Sequence, residues 1–240
     1  MAAANRKGTK HLPPCPDPER YVRVDTREGS YWRRKRGTVK PALLNERFAA
    51  NNRAYKVLMP AAARVVHHLE PYTRGLRPGR ITARIAALWL PDYLSSGRIS
   101  FTALEKLEFQ PESPTEKLLK GGASLLSRKL RTTADGAAVH TLSIAPDKGS
   151  VQAQNDLVTD YYFELILLYG DCTQDGGLSV CSGSSALYRY GEEPAAPCVM
   201  EVTAAPAGEP WMLLLKLNSL EGPELAVHCR HYAMLVVKAG

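Results

Sequence analysis

Alternation of apolar and polar residues in the last third of the chain restricts the fold more than any other feature. In 160–169 the odd positions Tyr161, Phe163, Leu165, Leu167 and Tyr169 form an unbroken apolar face. In 211–217 Trp211, Leu213, Leu215 and Leu217 do the same. A period of two is the mark of a strand with one face on a core. The odd positions of 225–237 (Leu225, Val227, Cys229, His231, Ala233, Leu235 and Val237) continue the pattern, and weaker strands fit 140–144, 187–190 and 197–203. Turn-forming residues separate them at 146–149, 175–177, 191–194, 206–210 and 221–223. Strands at this spacing, with no helical pattern between them, predict an antiparallel sandwich or open barrel whose last strand reaches nearly to Gly240.

Upstream the period changes. Leu44, Phe48, Tyr55, Leu58, Ala62, Val65 and Leu69 recur in steps of 3, 4 and 7, which places one stripe on a helix over 45–69. Pro41 suits its first turn, Pro60 predicts a kink or break near 58–59, and Glu70-Pro71 ends it. After a loop at 72–79 a second helix fits Ile81, Ile85, Leu88 and Trp89, closing near Leu90 before Pro91. Phe48 and Trp89 are expected as buried anchors. Beyond it, 100–107 reads as a short strand or turn, and 116–119 as a helical turn broken by Gly121-Gly122. At the N-terminus Pro13, Pro14, Pro16 and Pro18 hold 12–18 extended, and Tyr21-Val22-Arg23-Val24 is a short strand suited to adding onto another sheet. The expected fold is α+β: a basic extended arm over 1–40, a helical pair over 41–95 and an antiparallel β-sandwich over 96–240.

Hydrophobic residues make up 45% and charged residues 23%, the balance of a soluble globular protein, and no run approaches the ~20 apolar residues that span a bilayer. No apolar stretch follows the first basic residues, so a cytoplasmic location is expected. The net charge of +7 is unevenly placed. Through Leu90 there are 19 Lys and Arg against 6 Asp and Glu, and from Pro91 onward 12 against 18. Such asymmetry marks a basic arm that meets a polyanion or an acidic protein surface. Tyr31, Trp32, Arg33, Arg34, Lys35 and Arg36, with Lys40 close behind, combine cations that attract phosphates with aromatics that stack on bases. The same run resembles a nuclear-import signal, a solvated tail, or an arm docked on an acidic protein. Arg74, Arg77, Arg80 and Arg84 lie across the loop and the start of the second helix, where helix N-termini and guanidinium forks favour anions. Pairing with acidic residues of the sandwich is the alternative.

Signals for chemistry are weak. The cysteines at 15, 172, 181, 198 and 229 are odd in number and lack C-x-x-C spacing, and Cys172 and Cys181 flank a hairpin turn without implying a disulfide. Of His228, Cys229 and His231, a strand would put only two on one face, and that face is apolar, so a buried histidine is favoured over a metal ligand. His67 and His68 stand about 100° apart on a helix, too far for shared ligation. No G-x-S-x-G surrounds the serines of 181–185, and 120–124 lacks the order of a phosphate-binding loop. Glu164 and Asp160 share the polar face of a strand, but acid–base work needs a cleft. The residues therefore imply no metal and no cofactor, and lean away from an enzyme.

Gly37-Thr38-Val39-Lys40, 45–48, Asn52-Arg53 and Arg80-Ile81-Thr82-Ala83-Arg84 resemble the front half of a family of uncharacterised bacterial hypothetical proteins. These carry a basic lead, short helices, an R-[IV]-T-[AS]-R segment and a β-rich remainder. The resemblance ends before Pro91, brings no site residue with it, and excludes the proline-rich 12–18. The function expected is that of a non-catalytic structural or protein-interaction protein, docking on a partner or self-associating through its arm and helices. Nucleic-acid binding by the basic half is the alternative.

Overall fold

Strands that bury one face alternate in sequence; strands that bury both faces do not. The centre of this protein is built from the second kind. A computed structural model describes residues 13–26, 29–35, 46–112, 114–119, 126–132, 137–146 and 150–240. The chain divides into two compact units, Met1–Ala49 and Ala50–Gly240.

In the larger unit, β5 (Asp160–Gly170) and β9 (Trp211–Glu221) pair antiparallel along their length, from Asp160↔Leu220 to Tyr169↔Trp211. On the other side of β9 lie β10 (Glu224–Leu225) and β11 (Ala233–Ala239). On the other side of β5 lie β6 (Leu178–Ser184) and β7 (Tyr188–Arg189). A second, three-stranded sheet has the order β3 (Leu126–Thr132), β4 (Ala138–Ile144), β8 (Cys198–Thr203). The odd residues of the central strands, among them Phe163, Leu165, Leu167, Leu213, Leu215 and Leu217, pack with Leu142, Ile144, Cys198, Met200 and Val202 of this sheet. The even residues Ile166, Leu168, Met212, Leu214, Met234 and Val236 pack instead against helices. The result is three layers: helices, central sheet, small sheet. Each large apolar side chain fully enclosed there contributes about 1.5–3 kcal/mol relative to exposure.

The helical layer consists of α1 (Glu46–His68) and α2 (Ile81–Ser96). Leu58, Ala62, Val65 and Leu69 form the buried stripe of α1 and its exit, and Ile81, Ile85 and Trp89 that of α2. Three expectations are corrected. Phe48 is 50% exposed and Leu88 42% exposed. α1 runs through Pro60 without the break that is one of the two outcomes expected there, and α2 runs through Pro91 to Ser96. A proline frees the carbonyl four residues earlier; Lys56 and Ala87 are both exposed, so water can satisfy what the ring cannot. Gly97, in the left-handed region at φ +70°, ends α2 by donating to the Tyr93 carbonyl at 2.8 Å. Leu44 and Pro41 lie outside the described residues, as does Gly121-Gly122.

The 225–237 pattern does not form one strand. β10 is two residues long, Val227 is 90% exposed, and Cys229–His231 make a 3-10 turn before β11 begins. The His228 ring accepts from the Arg230 N–H, and this local bond replaces a ladder bond. Another 3-10 turn, Phe101–Leu104, and the single-turn helix α3 (Thr115–Leu118) occupy the region read as turns. The outer edge of β11 is capped by the segment after that turn, through Lys106 N–H to Val236 O, Val236 N–H to Leu107 O and Phe109 N–H to Met234 O.

In the smaller unit, β1 (Tyr21–Thr26) pairs antiparallel with β2 (Gly29–Arg34). Tyr21–Thr26 thus finds a ladder within the arm, with Gly29–Arg34 as its partner. The fold is α+β with a β-rich C-terminal part, and among the described residues no helix is long and apolar enough to cross a membrane.

Candidate functional site

The hairpin β1–β2 gathers most of the residues that the sequence nominates. Directly paired residues share a face, so Tyr21, Arg23, Asp25, Ser30, Trp32 and Arg34 lie on one side and Val22, Val24, Tyr31 and Arg33 on the other. On the first side the polar groups satisfy one another. Arg23 Nε donates to Asp25 Oδ1 at 2.8 Å, and its Nη2 to Ser30 Oγ at 3.3 Å. Ser30 also donates to Asp25, and these bonds hold the Asp25 carboxyl below its ordinary value. Arg34 Nε donates to the Tyr21 hydroxyl at 3.2 Å, with its guanidinium 5.9 Å from the ring centroid. Trp32 Nε1 donates to the Pro13 carbonyl at 2.7 Å, which binds the proline-rich segment to this side.

The second side is different in character. Tyr31 is 48% and Val22 38% exposed, with Val24 between them and the exposed Arg33 at their border. Lys35 is exposed, and its N–H closes the hairpin onto the Arg20 carbonyl at 2.7 Å. Arg36 and Lys40 lie outside the described residues.

The four arginines of the larger unit do not converge as one site. Arg74, Arg77 and Arg80 are exposed, and none has an ion pair among the described residues. Arg77 is placed by its N–H on Gln110 Oε1 at 3.0 Å. Arg84 is half-buried and spends its Nη2 on the Glu108 carbonyl at 2.6 Å, so it fastens α2 to the segment capping β11. Its Nη1 is buried without a partner among the described residues.

Sequence reasoning missed a polar cluster on the helix-facing side of the central sheet. Lys216 is 3% exposed, stands opposite Glu164 in register, and holds Nζ 5.7 Å from the Tyr232 ring centroid. Burial pushes Lys216 below its ordinary value, with the Glu164 carboxylate opposing. The neighbouring Asn218 is fully buried, donates to Glu164 Oε2 at 3.5 Å, and leaves Oδ1 unpartnered among the described residues. Tyr232 donates to the Ala226 carbonyl at 2.5 Å, and burial pushes its hydroxyl up to about 12. A desolvated lysine suits base or nucleophile chemistry, but this one is enclosed rather than presented. The signal was legible: one lysine inside Met212-Leu-Leu-Leu-Lys-Leu217.

The other nominated groups are occupied structurally. Ser185 Oγ accepts from the Phe163 N–H and donates to the Ala186 carbonyl, and Asp171 accepts from Thr173 and Gln174. All five cysteines are free thiols. Among the described residues no three His, Cys, Asp or Glu side chains are placed to hold a metal ion. Comparison with protein-family models, with curated proteins and with solved structures finds no match to this chain.

Proposed function

We propose that this is a non-catalytic interaction protein that docks on a protein surface through the hairpin β1–β2, with a second copy of the chain as the partner. One observation carries the reading: the exposed Val22 and Tyr31, with the half-buried Val24, form an apolar face with Arg33 on its border. An aromatic and aliphatic centre edged by arginine is the usual composition of a protein–protein contact. A phosphate-binding surface would keep its cations free, whereas Arg23 and Arg34 are committed to Asp25 and Tyr21. A two-stranded hairpin is marginal alone in water, which favours a role that covers it. Charge supports self-association, since the basic excess lies before Pro91 and the acidic excess after it. Complementarity of this kind adds encounter rate and specificity more than affinity.

Light scattering on the full chain and on a form lacking residues 1–36 tests the reading. A concentration-dependent dimer mass that the truncation abolishes is expected. Equal monomeric masses would overturn it. Salt-sensitive capture of single- or double-stranded oligonucleotides, lost on changing Arg33, Arg34 and Lys35 to Ser, would favour the nucleic-acid alternative instead.

A further inference from the structure

A cavity of about 340 Å³ lies within the larger unit, where the two long helices meet the turn that follows β5. Val57 of α1, Tyr93 of α2, Ile99 and Phe101 supply apolar walls, and 170–172 supply the floor. That floor has to be bare at Gly170. Its φ is +108°, and a Cβ there would meet the Gly177 carbonyl oxygen at 2.1 Å. Cys172 beside it is 5% exposed, and burial pushes its thiol up to about 11, so it offers the cavity a neutral, weakly polar surface.

The polar groups at the cavity are unequal. Asp171 is engaged by its own turn: Oδ1 accepts from the Thr173 N–H at 2.8 Å and hydroxyl at 2.6 Å, and Oδ2 from Gln174 Nε2 at 2.8 Å, and these bonds keep it ionised. The donors are not taken. Among the described residues neither the exposed Arg98 guanidinium nor the Tyr93 hydroxyl has a hydrogen bond or ion pair. The αL turn at Gly97 ends α2 and sets Arg98 at this rim, while the Arg98 N–H is held by Ser96 Oγ at 3.2 Å. The site therefore has apolar walls, a cation (Arg98) and a hydroxyl (Tyr93) with no partner among the described residues, and one carboxylate (Asp171) already held by donors of its own turn.

We propose that this cavity binds a small organic carboxylate, its apolar body against Val57, Tyr93 and Phe101 and its carboxylate on Arg98. The volume stands at the low end of the ~300–1,000 Å³ of small-molecule sites, which selects an aryl or medium-chain acid over a long lipid. An arginine fork matches a carboxylate geometrically, and most of the ligand's surface would leave water. This site is separate from the hairpin in its residues and its chemistry, so it stands whether or not the chain self-associates.

Isothermal titration of the full chain with phenylpropanoate and decanoate tests it, with phenylpropanamide and acetate as comparators. Saturable single-site binding of both acids is expected, with the amide about tenfold weaker and acetate without detectable binding. Arg98→Gln should weaken the acids about tenfold and leave the amide unchanged, and its exposed position makes it safe for folding. Val57→Trp, which fills space at the apolar wall, should weaken acid and amide together. Failure of the acids to saturate, equal affinity for acid and amide, or acid binding indifferent to Arg98→Gln would each overturn the proposal.

Discussion

Replacing Trp89 measures how much the helical layer contributes to the central sheet. The side chain is fully buried in α2, with its ring centroid 6.2 Å from that of Phe101. Truncation to Ala loses the transfer free energy of the indole and leaves a cavity that close-packed neighbours fill only in part, together about 3–5 kcal/mol. Trp89 Nε1 modifies the account, because it is buried with no partner among the described residues. An unpaired buried donor costs about 1–3 kcal/mol, so Trp89→Phe removes that cost while opening a smaller gap. The phenylalanine variant should therefore lie within about 1 kcal/mol of the parent. At about 2–4 °C per kcal/mol for a chain of this size, Trp89→Ala should lower Tm by about 6–20 °C. Equilibrium urea unfolding followed by circular dichroism reads both variants, with an unchanged slope confirming the same exposed surface. Phe48→Ala serves as the contrast, since a half-exposed ring should cost less than about 1 kcal/mol. A Trp89→Ala loss below about 1 kcal/mol would mean that the helices do not cover the sheet. A Trp89→Phe loss equal to that of alanine would mean that Nε1 has a partner.

Three further outcomes follow from single sites. Lys216 binds its proton less tightly folded than unfolded, so its cost is fully present below its folded value and fades as pH rises toward 10.5. Lys216→Met should thus be more stable than the parent at pH 7, by on the order of 1 kcal/mol, with the gap closing by about pH 10.5 in denaturant titrations; a gap independent of pH would refute this. Gly75→Ala should cost more than about 1 kcal/mol in the same assay, because φ is +83° and the new Cβ would stand 2.6 Å from the Tyr232 ring; a neutral result would place the loop elsewhere. Burial, with help from Arg128 and Arg230 respectively, holds His140 and His231 below 6.5, so both are neutral in the fold and their stabilisation is lost as pH falls from 6.5 through the folded values. His140→Gln should flatten that part of the pH–stability curve, and an unchanged slope would show that His140 titrates normally.

The alternation of β5 and β9 was legible because a buried strand face repeats every two residues, and Phe163, Leu165, Leu213 and Leu215 obey it. Their other face was hidden by its own success: Ile166, Leu168, Met212 and Leu214 are equally apolar, so the run shows no contrast. The edge strands β3 and β6 carry Arg128, Lys129, Arg131 and Ser179, Ser182, Ser184, whose exposure erases the pattern altogether. Helical spacing identified Leu58, Val65, Ile85 and Trp89, but the same spacing also took in Phe48 and Leu88, which are exposed, because periodicity alone does not separate a buried position from a half-covered one. In the arm, Tyr21–Val24 read as a strand, whereas its partner was concealed within a run that reads as charge. The cavity at Arg98 left no trace in sequence because its walls come from segments near 57, 93–101, 170–173 and 210.

Sedimentation equilibrium of the full chain beside a Val22→Ser/Tyr31→Ser variant tests the docking face most directly. Both substitutions sit on exposed positions of one hairpin face, so the ladder and the opposite polar network are left in place. The parent should show a reversible monomer–dimer equilibrium, and the variant should remain monomeric with an unchanged circular dichroism spectrum. A parent that stays monomeric at every concentration, or a variant that dimerises as tightly as the parent, would contradict the account.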